Sequence, residues 1–233
     1  MKKKLFLIFV FTFIVYLLSS GGATPFNYFT RLADAFLHAR FYLTDNPPWL
    51  SELIPAGANK FYVVYPLMPA ILAIPFVAIF GPEFPQQILA HALGAGIVVL
   101  TIELSLGLCK NKKIALWSGL LVGFGSIVWY LSSVGSSWYL GQITAAFFLI
   151  AAITETLGKK RIFLVGFLIG CAYLSRIHTI LSLPFFIYTL NLKPKKIIDI
   201  AKFVLPMLFI LILDFTYNFL RFGVVFNKGY LLI

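Results

Sequence analysis

The sequence predicts an all-α protein, a polytopic transmembrane helix bundle with interfacial helices in a large first outer loop. Of its 233 residues, 61% are hydrophobic and only 12% are charged, whereas soluble domains average about 45–50% apolar and about 25% charged residues. The apolar residues form runs close to the roughly 20 residues that cross the hydrocarbon core of a bilayer. Lysines and arginines lie in short clusters between these runs. Lipid is therefore the expected solvent for most of the chain.

The basic clusters predict the orientation of the chain. A formal net charge of +11 is typical of a nucleic-acid-binding protein when it lines one soluble face. Here the charges separate apolar runs, which excludes nucleic acid as the expected partner and matches the enrichment of cytoplasmic loops in Lys and Arg. We therefore expect a multi-pass protein of the plasma membrane, with its N-terminus and its basic clusters on the cytoplasmic side. The clusters are Lys2–Lys4, Lys110/Lys112/Lys113, Lys159/Lys160/Arg161 and Lys193/Lys195/Lys196.

We predict a single transmembrane domain over residues 1–233. Its membrane crossings are those that keep all four basic clusters on one side. The predicted spans are about 5–20, 87–108, 114–133, 138–157, 162–175, 178–190 and 198–220, and residues 21–86 form the outer loop. The fifth and sixth spans are too short to cross the full thickness of a bilayer. We expect them to meet at a break near Ser175–His178, because broken helices are stable only where they line a protein-enclosed cavity.

The outer loop is expected to hold two helices. Apolar residues recur at helical spacing between Tyr28 and Tyr42, which predicts an amphipathic helix lying in the membrane interface. The apolar stretch from Tyr65 to Phe80 contains Pro66, Pro69 and Pro75. Because proline interrupts helices, we expect this stretch to dip into the outer surface without crossing the membrane.

The outer loop also carries four acids, namely Asp34, Asp45, Glu52 and Glu83. An acid beside a lipid headgroup is able to act as a general base, although each acid is also readable as a solvated or salt-bridged surface carboxylate. Within the apolar stretch 162–190, Arg176 is either a phosphate clamp or a helix-end arginine that reaches the interface. Asp214, Asn218 and Arg221 form a polar stripe at the outer end of the last span.

Several short motifs resemble the GT-C superfamily of polytopic glycosyltransferases, which includes protein O-mannosyltransferases and lipid A aminoarabinose transferases. They are residues 27–38 (NYFTRLADAFLH), 49–53 (WLSEL), 63–69 (VVYPLMP), 125–130 (GSIVWY), 174–176 (LSR) and 218–223 (NFLRFG). The resemblance implies transfer of a sugar from a polyprenyl-phosphate donor to an acceptor at the outer face of the membrane. Family members are longer, so we expect this sequence to be the N-terminal part of a larger protein.

The resemblance also implies roles for individual residues. The catalytic acid is Asp34 or Glu52, and the donor phosphate is expected at Arg176, Lys60 and Arg221. The residues expected to line the cavity are Asn27, Tyr65, His91, His178 and Asp214. The expected partners are a polyprenyl-phosphate-linked sugar and membrane lipids. The sequence has no metal-ligand spacing and implies no definite cofactor, although a divalent metal is compatible with it.

A non-catalytic alternative stays open on the sequence alone. The family often has an acid where this chain has Asn27, and its paired prolines appear here as Pro66-Leu67. These departures suit a lipid or sugar-lipid transporter, or an inactive truncated remnant. A transporter is expected to carry ionisable residues along a path through the bilayer. In this chain they lie mainly toward the outer side, which favours the enzyme.

Overall fold

A computed structural model describes residues 2–193 and 197–232. The described residues are mostly helical, with 71% of them in α- or 3₁₀-helices and 3% in strands. The helices are α1 Lys2–Ser19, α2 Tyr28–Leu37, α3 Met68–Phe80, α4 Gln87–Cys109, α5 Lys112–Phe124, α6 Ile127–Val134, α7 Ser137–Leu157, α8 Ile162–Ser175, α9 Leu183–Thr189 and α10 Ile197–Phe222. Short 3₁₀ helices cover Ile177–Ser182 and Gly229–Leu231, and the strands are β1 Leu53–Pro55 and β2 Phe61–Val63.

Among the described residues, two helices are long and apolar enough to cross a membrane. They are α4, with 23 residues, and α7, with 21 residues. At 1.5 Å per residue, α4 is about 35 Å long, which exceeds the roughly 30 Å of a hydrocarbon core. A third span results if α5 and α6 are taken together across a 54° bend. By length and composition, these helices support a membrane protein.

Two helices, α5 and α6, cover the predicted span over 114–133, with a bend between them. Helix α5 ends at Phe124 and α6 starts at Ile127. The Ser126 hydroxyl donates to the carbonyl oxygen of Val122 and accepts from the backbone N–H of Val128. A serine that caps a new helix in this way offers the backbone an alternative to continuing the old one. The apolar pattern runs unbroken through this point and does not reveal the turn.

The long helices pack side by side, and glycines bring them close together. Helix α8 lies between α7 and α10, and α4 contacts α1, α5 and α7. A Cβ atom at Gly166 of α8 would lie only 2.0 Å from the carbonyl oxygen of Phe203 on α10. Small residues at such contacts let helix backbones approach closely, as they do between membrane helices. Helix α8 ends at Ser175, within the stretch where the sequence predicts a break.

The outer loop contains a small sheet that the all-α prediction missed. Strands β1 and β2 pair antiparallel, with Leu53 opposite Val63 and Pro55 opposite Phe61. Helix α2 packs against α3, and its residues Tyr28 and Phe29 are buried in the core.

The predicted end of α2 at Tyr42 was wrong, because the helix stops at Leu37. The backbone of Ala39 then enters the left-handed region, with φ of 53°. A residue with a Cβ atom adopts this conformation only as an isolated residue, not within a helix. The helix therefore cannot continue to Tyr42.

Three of the basic clusters lie at one end of the helices. A cavity of about 360 Å³ is lined by Lys4, Leu106 and Lys112. The N-terminal ends of α1 and α5 therefore lie beside the C-terminal end of α4. A second cavity, of about 600 Å³, is lined by Leu106, Lys159 and Arg161, so the α7–α8 connection lies at the same end. In the fourth cluster, Lys195 and Lys196 lie outside the described residues.

Candidate functional site

At the other end of α7 and α8, Arg176 is bound to the first turn of α7. Its Nη2 atom donates a hydrogen bond of 2.7 Å to the carbonyl oxygen of Trp138, the second residue of α7. Arg176 follows the last residue of α8 and has an extended backbone, with φ of −153° and ψ of 114°. The extended backbone ends α8, and the side chain lies across its neighbour α7.

A glycine provides the space for this guanidinium. A Cβ atom at Gly141 would lie 3.1 Å from Nη2 and 3.2 Å from Nε of Arg176. The Nε atom is buried and has no hydrogen-bond partner within the part of the chain that the structure describes. Since guanidinium N–H groups match phosphate oxygens in geometry and charge, Arg176 keeps an unused donor for an anionic group.

Glu52 is bound to the same tryptophan. Its Oε2 atom accepts a hydrogen bond of 3.0 Å from Nε1 of Trp138. Its backbone N–H donates to the hydroxyl of Tyr28 at 3.1 Å, and burial raises the pKa of that phenol above its ordinary value. The ring of Phe26 lies 4.7 Å from the Trp138 ring, measured between centroids. Glu52 is therefore fixed at both its backbone and its carboxylate.

The second carboxylate oxygen of Glu52 is less engaged. Among the residues that the structure describes, no hydrogen bond to Oε1 is formed. Glu52 itself is half-buried. A carboxylate held by one oxygen and open at the other is a suitable arrangement for a general base.

Asp34 has a different environment. It lies on α2, and its oxygens are 3.8 Å from Nη2 of Arg40 and 3.6 Å from Nδ1 of His38. It lines a cavity of about 180 Å³ together with Arg31 and Asp45, which pair with each other. Across residues 2–193 and 197–232, no hydrogen bond or ion pair joins Asp34 to Arg176.

The guanidinium of Arg221 forms hydrogen bonds within the protein. Nη1 donates to the carbonyl oxygen of Val63 in β2, and Nη2 donates to Oδ1 of Asn218 at 2.7 Å. The guanidinium carbon lies 3.7 Å from the centroid of the Tyr217 ring, and only 6% of the residue is exposed. Two of its three nitrogens are thus used within the protein, and Nη1 attaches the β1–β2 hairpin to the end of α10.

The polar stripe of α10 forms one hydrogen-bonded chain. Tyr173 of α8 donates to Oδ2 of Asp214 at 3.0 Å, and Asn218 donates to Oδ1 at 3.2 Å. Asn218 in turn accepts from Arg221. Tyr173, Asp214 and Arg221 border a cavity of about 200 Å³ at the C-terminal ends of α8 and α10. Leu174 and Ile177 also line it, on either side of Arg176 in the chain.

The other predicted residues lie apart from Glu52 and Arg176. Lys60 is exposed, with its Nζ atom 4.9 Å from the centroid of the Tyr42 ring. Asn27 precedes α2 and accepts from Nε of Arg31 at 2.8 Å. His178 is exposed on the 3₁₀ helix that follows α8. Within the described ranges, none of these three forms a hydrogen bond with Arg176.

Tyr65 and His91 are both buried in the protein interior. The Tyr65 ring packs 5.2 Å from that of Tyr28, and its hydroxyl finds no partner among the residues described. Nδ1 of His91 lies 2.6 Å from the carbonyl oxygen of Ser132, which connects α4 to α6. A helix-to-helix contact of this kind differs from the cavity wall that the sequence predicts for His91.

Sequence reasoning missed Trp138 and Tyr28 as members of the site. Tryptophan and tyrosine near helix ends are expected at membrane interfaces. Because this general preference already explains Trp138 and Tyr28 in the sequence, it does not indicate that they contact Glu52. The contact between Trp138 and Glu52 spans 86 positions in the chain. No spacing rule within one helix or strand reports a contact of that range.

Within the described residues, no group of three or more His, Cys, Asp or Glu side chains is arranged to hold a metal ion. The candidate site consists of the carboxylate of Glu52 and the guanidinium of Arg176, both bound to Trp138. No family model matches the chain, and neither a curated protein nor a solved structure matches it.

Proposed function

We propose that this chain belongs to a multi-pass membrane glycosyltransferase of the GT-C type. It transfers a sugar from a polyprenyl-phosphate donor to an acceptor at the outer face of the membrane. The observation that supports this proposal most strongly is the bridge through Trp138, which joins the carboxylate of Glu52 to the guanidinium of Arg176. A base and an anion-binding group are the two parts that such a transfer requires.

The orientation follows from the position of the basic clusters. Since Lys- and Arg-rich ends face the cytoplasm, the end of the helices that carries Lys112 and Lys159 is proposed to be cytoplasmic. The N-terminus is then cytoplasmic too, and Glu52 and Arg176 face outward. In this arrangement the membrane is crossed by further helices besides α4 and α7. They are α1, the α5–α6 pair, α8 with the helices that follow it, and α10.

The proposed reaction is a single displacement. Oε1 of Glu52 accepts the proton of an acceptor hydroxyl while the acceptor oxygen forms a bond to the anomeric carbon. The bond from that carbon to the phosphate oxygen breaks, and its electron pair leaves with the polyprenyl phosphate. Arg176 stabilises the negative charge that develops on the phosphate. Glu52 is preferred to Asp34 because Asp34 faces Arg40 and His38.

Two matched substitutions in the full-length protein test the assignment of the base. Transfer from a polyprenyl-phosphate-linked sugar is measured in liposomes for Glu52→Gln and for Asp34→Asn. Glu52→Gln is expected to lower kcat by about 10²–10⁴, the usual contribution of a general base, while Asp34→Asn stays close to wild type. Loss of activity in Asp34→Asn alone would move the base to Asp34. Full activity in both variants would exclude the proposed chemistry.

One observation favours a non-catalytic membrane protein as the second candidate. Arg221, which the resemblance assigns to the donor phosphate, binds Val63 and Asn218 instead. A transporter of lipid-linked sugars would then use Arg176 for binding without bond cleavage. Translocation of a fluorescent polyprenyl-phosphate sugar across liposomes, unchanged in Glu52→Gln, would support this candidate against the enzyme.

A further inference from the structure

We propose that the cavity at the C-terminal ends of α8 and α10 binds a single neutral sugar ring. This inference rests on the proposed function, because a glycosyltransferase must hold the sugar that it transfers. The cavity is bordered by Tyr173, Asp214, Tyr217 and Arg221. The size of the cavity, its unpartnered polar atoms and the charge of its wall each restrict the kind of ligand that it is able to bind.

The size of the cavity admits only a small group. Its volume is about 200 Å³, below the roughly 300–1,000 Å³ of pockets that hold drug-sized ligands. A disaccharide or a nucleotide is too large for this space. One six-membered ring with its hydroxyl groups is of the appropriate scale.

Two buried hydrogen-bonding atoms at the cavity wall are unused. The hydroxyl of Tyr217 and the Nε–H of Arg221 have no partner among the residues that the structure describes. Both residues are only 6% exposed. Leaving a buried polar atom without a partner destabilises a fold, so such atoms at a cavity wall indicate a place where a ligand is able to form hydrogen bonds. A hydroxyl-rich ligand satisfies both.

The carboxylate of Asp214 supplies the complementary acceptor. Each of its oxygens already accepts one hydrogen bond, from Tyr173 or from Asn218, and each retains capacity for a second. A sugar hydroxyl both donates and accepts, so it matches a wall that combines a carboxylate with N–H and O–H donors. The wall pairs the carboxylate of Asp214 with the guanidinium of Arg221, so it carries no excess positive charge that would select an anion.

The surrounding side chains suit the less polar faces of a sugar ring. Pro66, Leu174, Ile177 and Phe226 complete the wall. Leu174 and Ile177 lie two residues before and one residue after Arg176 in the chain. Arg221, at the cavity wall, also holds Val63, which pairs with Leu53, the neighbour of Glu52. The cavity is thus connected through the hairpin to the proposed base.

The test measures binding of simple methyl glycosides to the protein in lipid nanodiscs. Detergents with sugar headgroups are avoided, because their headgroups would occupy the cavity. Saturation-transfer NMR with methyl α-D-mannopyranoside, α-D-glucopyranoside and α-D-galactopyranoside is compared for wild type, Tyr217→Phe and Asp214→Asn. Tyr188→Phe is the matched control, because Tyr188 is 88% exposed. Thermal unfolding of each variant verifies that it is folded.

At least one glycoside is expected to bind wild type and Tyr188→Phe equally. Tyr217→Phe and Asp214→Asn should weaken its binding about five- to tenfold, as expected for loss of a hydrogen bond in a buried site. Inorganic phosphate should not displace it. Equal affinity in Tyr217→Phe and Tyr188→Phe, absence of binding to wild type, or displacement by phosphate would each overturn the proposal.

A parallel transfer assay separates this proposal from the proposed function. If glycoside binding depends on Tyr217 while Glu52→Gln remains fully active, the proposed base is wrong and the sugar site stands. If Glu52→Gln is inactive while glycoside binding does not depend on Tyr217, the chemistry stands and the sugar site is wrong.

Discussion

The carboxylate of Glu52 and the guanidinium of Arg176 are joined through a single residue, Trp138. The indole N–H binds Glu52 at 3.0 Å, and the backbone carbonyl of the same residue accepts from Arg176 at 2.7 Å. The two charged groups come from the outer loop and from the end of α8, and the first turn of α7 sets their spacing. A substitution at Trp138 is therefore able to remove the side-chain contact to Glu52 while it keeps the backbone contact to Arg176.

Replacing Trp138 with phenylalanine removes the contact to Glu52 and keeps the contact to Arg176. The aromatic ring remains beside Phe26, and the backbone carbonyl is unchanged. A hydrogen bond to a charged group contributes about 1.5–3 kcal/mol, so kcat for transfer should fall about 10–100-fold. The KM for the lipid-linked donor should stay near that of wild type. Trp117→Phe is the control, because Trp117 is 71% exposed, and unchanged kcat in Trp138→Phe would contradict positioning of Glu52 by the indole.

Replacing Gly141 with alanine tests Arg176 from the other side. The new methyl group would lie 3.1 Å from Nη2, which is closer than ordinary van der Waals contact, and it should displace the guanidinium from Trp138. We expect a raised KM for the donor together with a reduced kcat. Gly107→Ala in α4 is the matched control, because a methyl group there would have no neighbouring atom within 4 Å and alanine favours a helix by up to about 1 kcal/mol. Equal donor KM in both variants would argue against phosphate binding by Arg176.

Two buried tyrosines should respond oppositely to loss of their hydroxyl groups. Tyr16 donates to the carbonyl oxygen of Gly123 at 2.9 Å, so Tyr16→Phe should lower the free energy of unfolding by about 1–2 kcal/mol. The hydroxyl of Tyr65 has no partner within the described part of the chain, so Tyr65→Phe should be neutral or stabilising. Thermal unfolding in the same nanodiscs measures both. A larger loss of stability for Tyr65→Phe than for Tyr16→Phe would reveal a partner for Tyr65.

The native Cys109 reports the proposed orientation directly. It is exposed at the end of α4, next to Lys110, whereas Cys171 is buried. A membrane-impermeant maleimide should label Cys109 only after the cells are permeabilised. In a Cys109→Ser background, Ser51→Cys in the outer loop should react on intact cells. Labelling of both positions under the same condition would contradict the orientation.

The long helices were predictable because polar residues bound their apolar runs. The predicted spans 87–108 and 138–157 differ by one residue from α4 and α7 as observed. The hairpin was not predictable in this way, since β1 and β2 have three residues each and show no extended alternation. The bend at Ser126 was equally hidden, because it depends on one hydroxyl within an apolar run.

The candidate site was predictable in its charged residues and not in their connections. A charge such as Arg176 within an apolar stretch is visible in the sequence. Its contact with Trp138 depends on how α8 packs against α7. Arg221 is equally visible, but its bond to Val63 joins residues that are 158 positions apart. Such long-range pairs decide which charged groups remain free for a ligand.

The bond between Arg221 and Val63 also orders the events of biosynthesis. Residues 21–86 are synthesised well before α10, so the β1–β2 hairpin reaches its fixed position only when Arg221 has been made. Until then the hairpin, which begins next to Glu52, lacks its attachment to α10. A nascent chain that ends before Arg221 therefore lacks one of the contacts that position the strand beside Glu52.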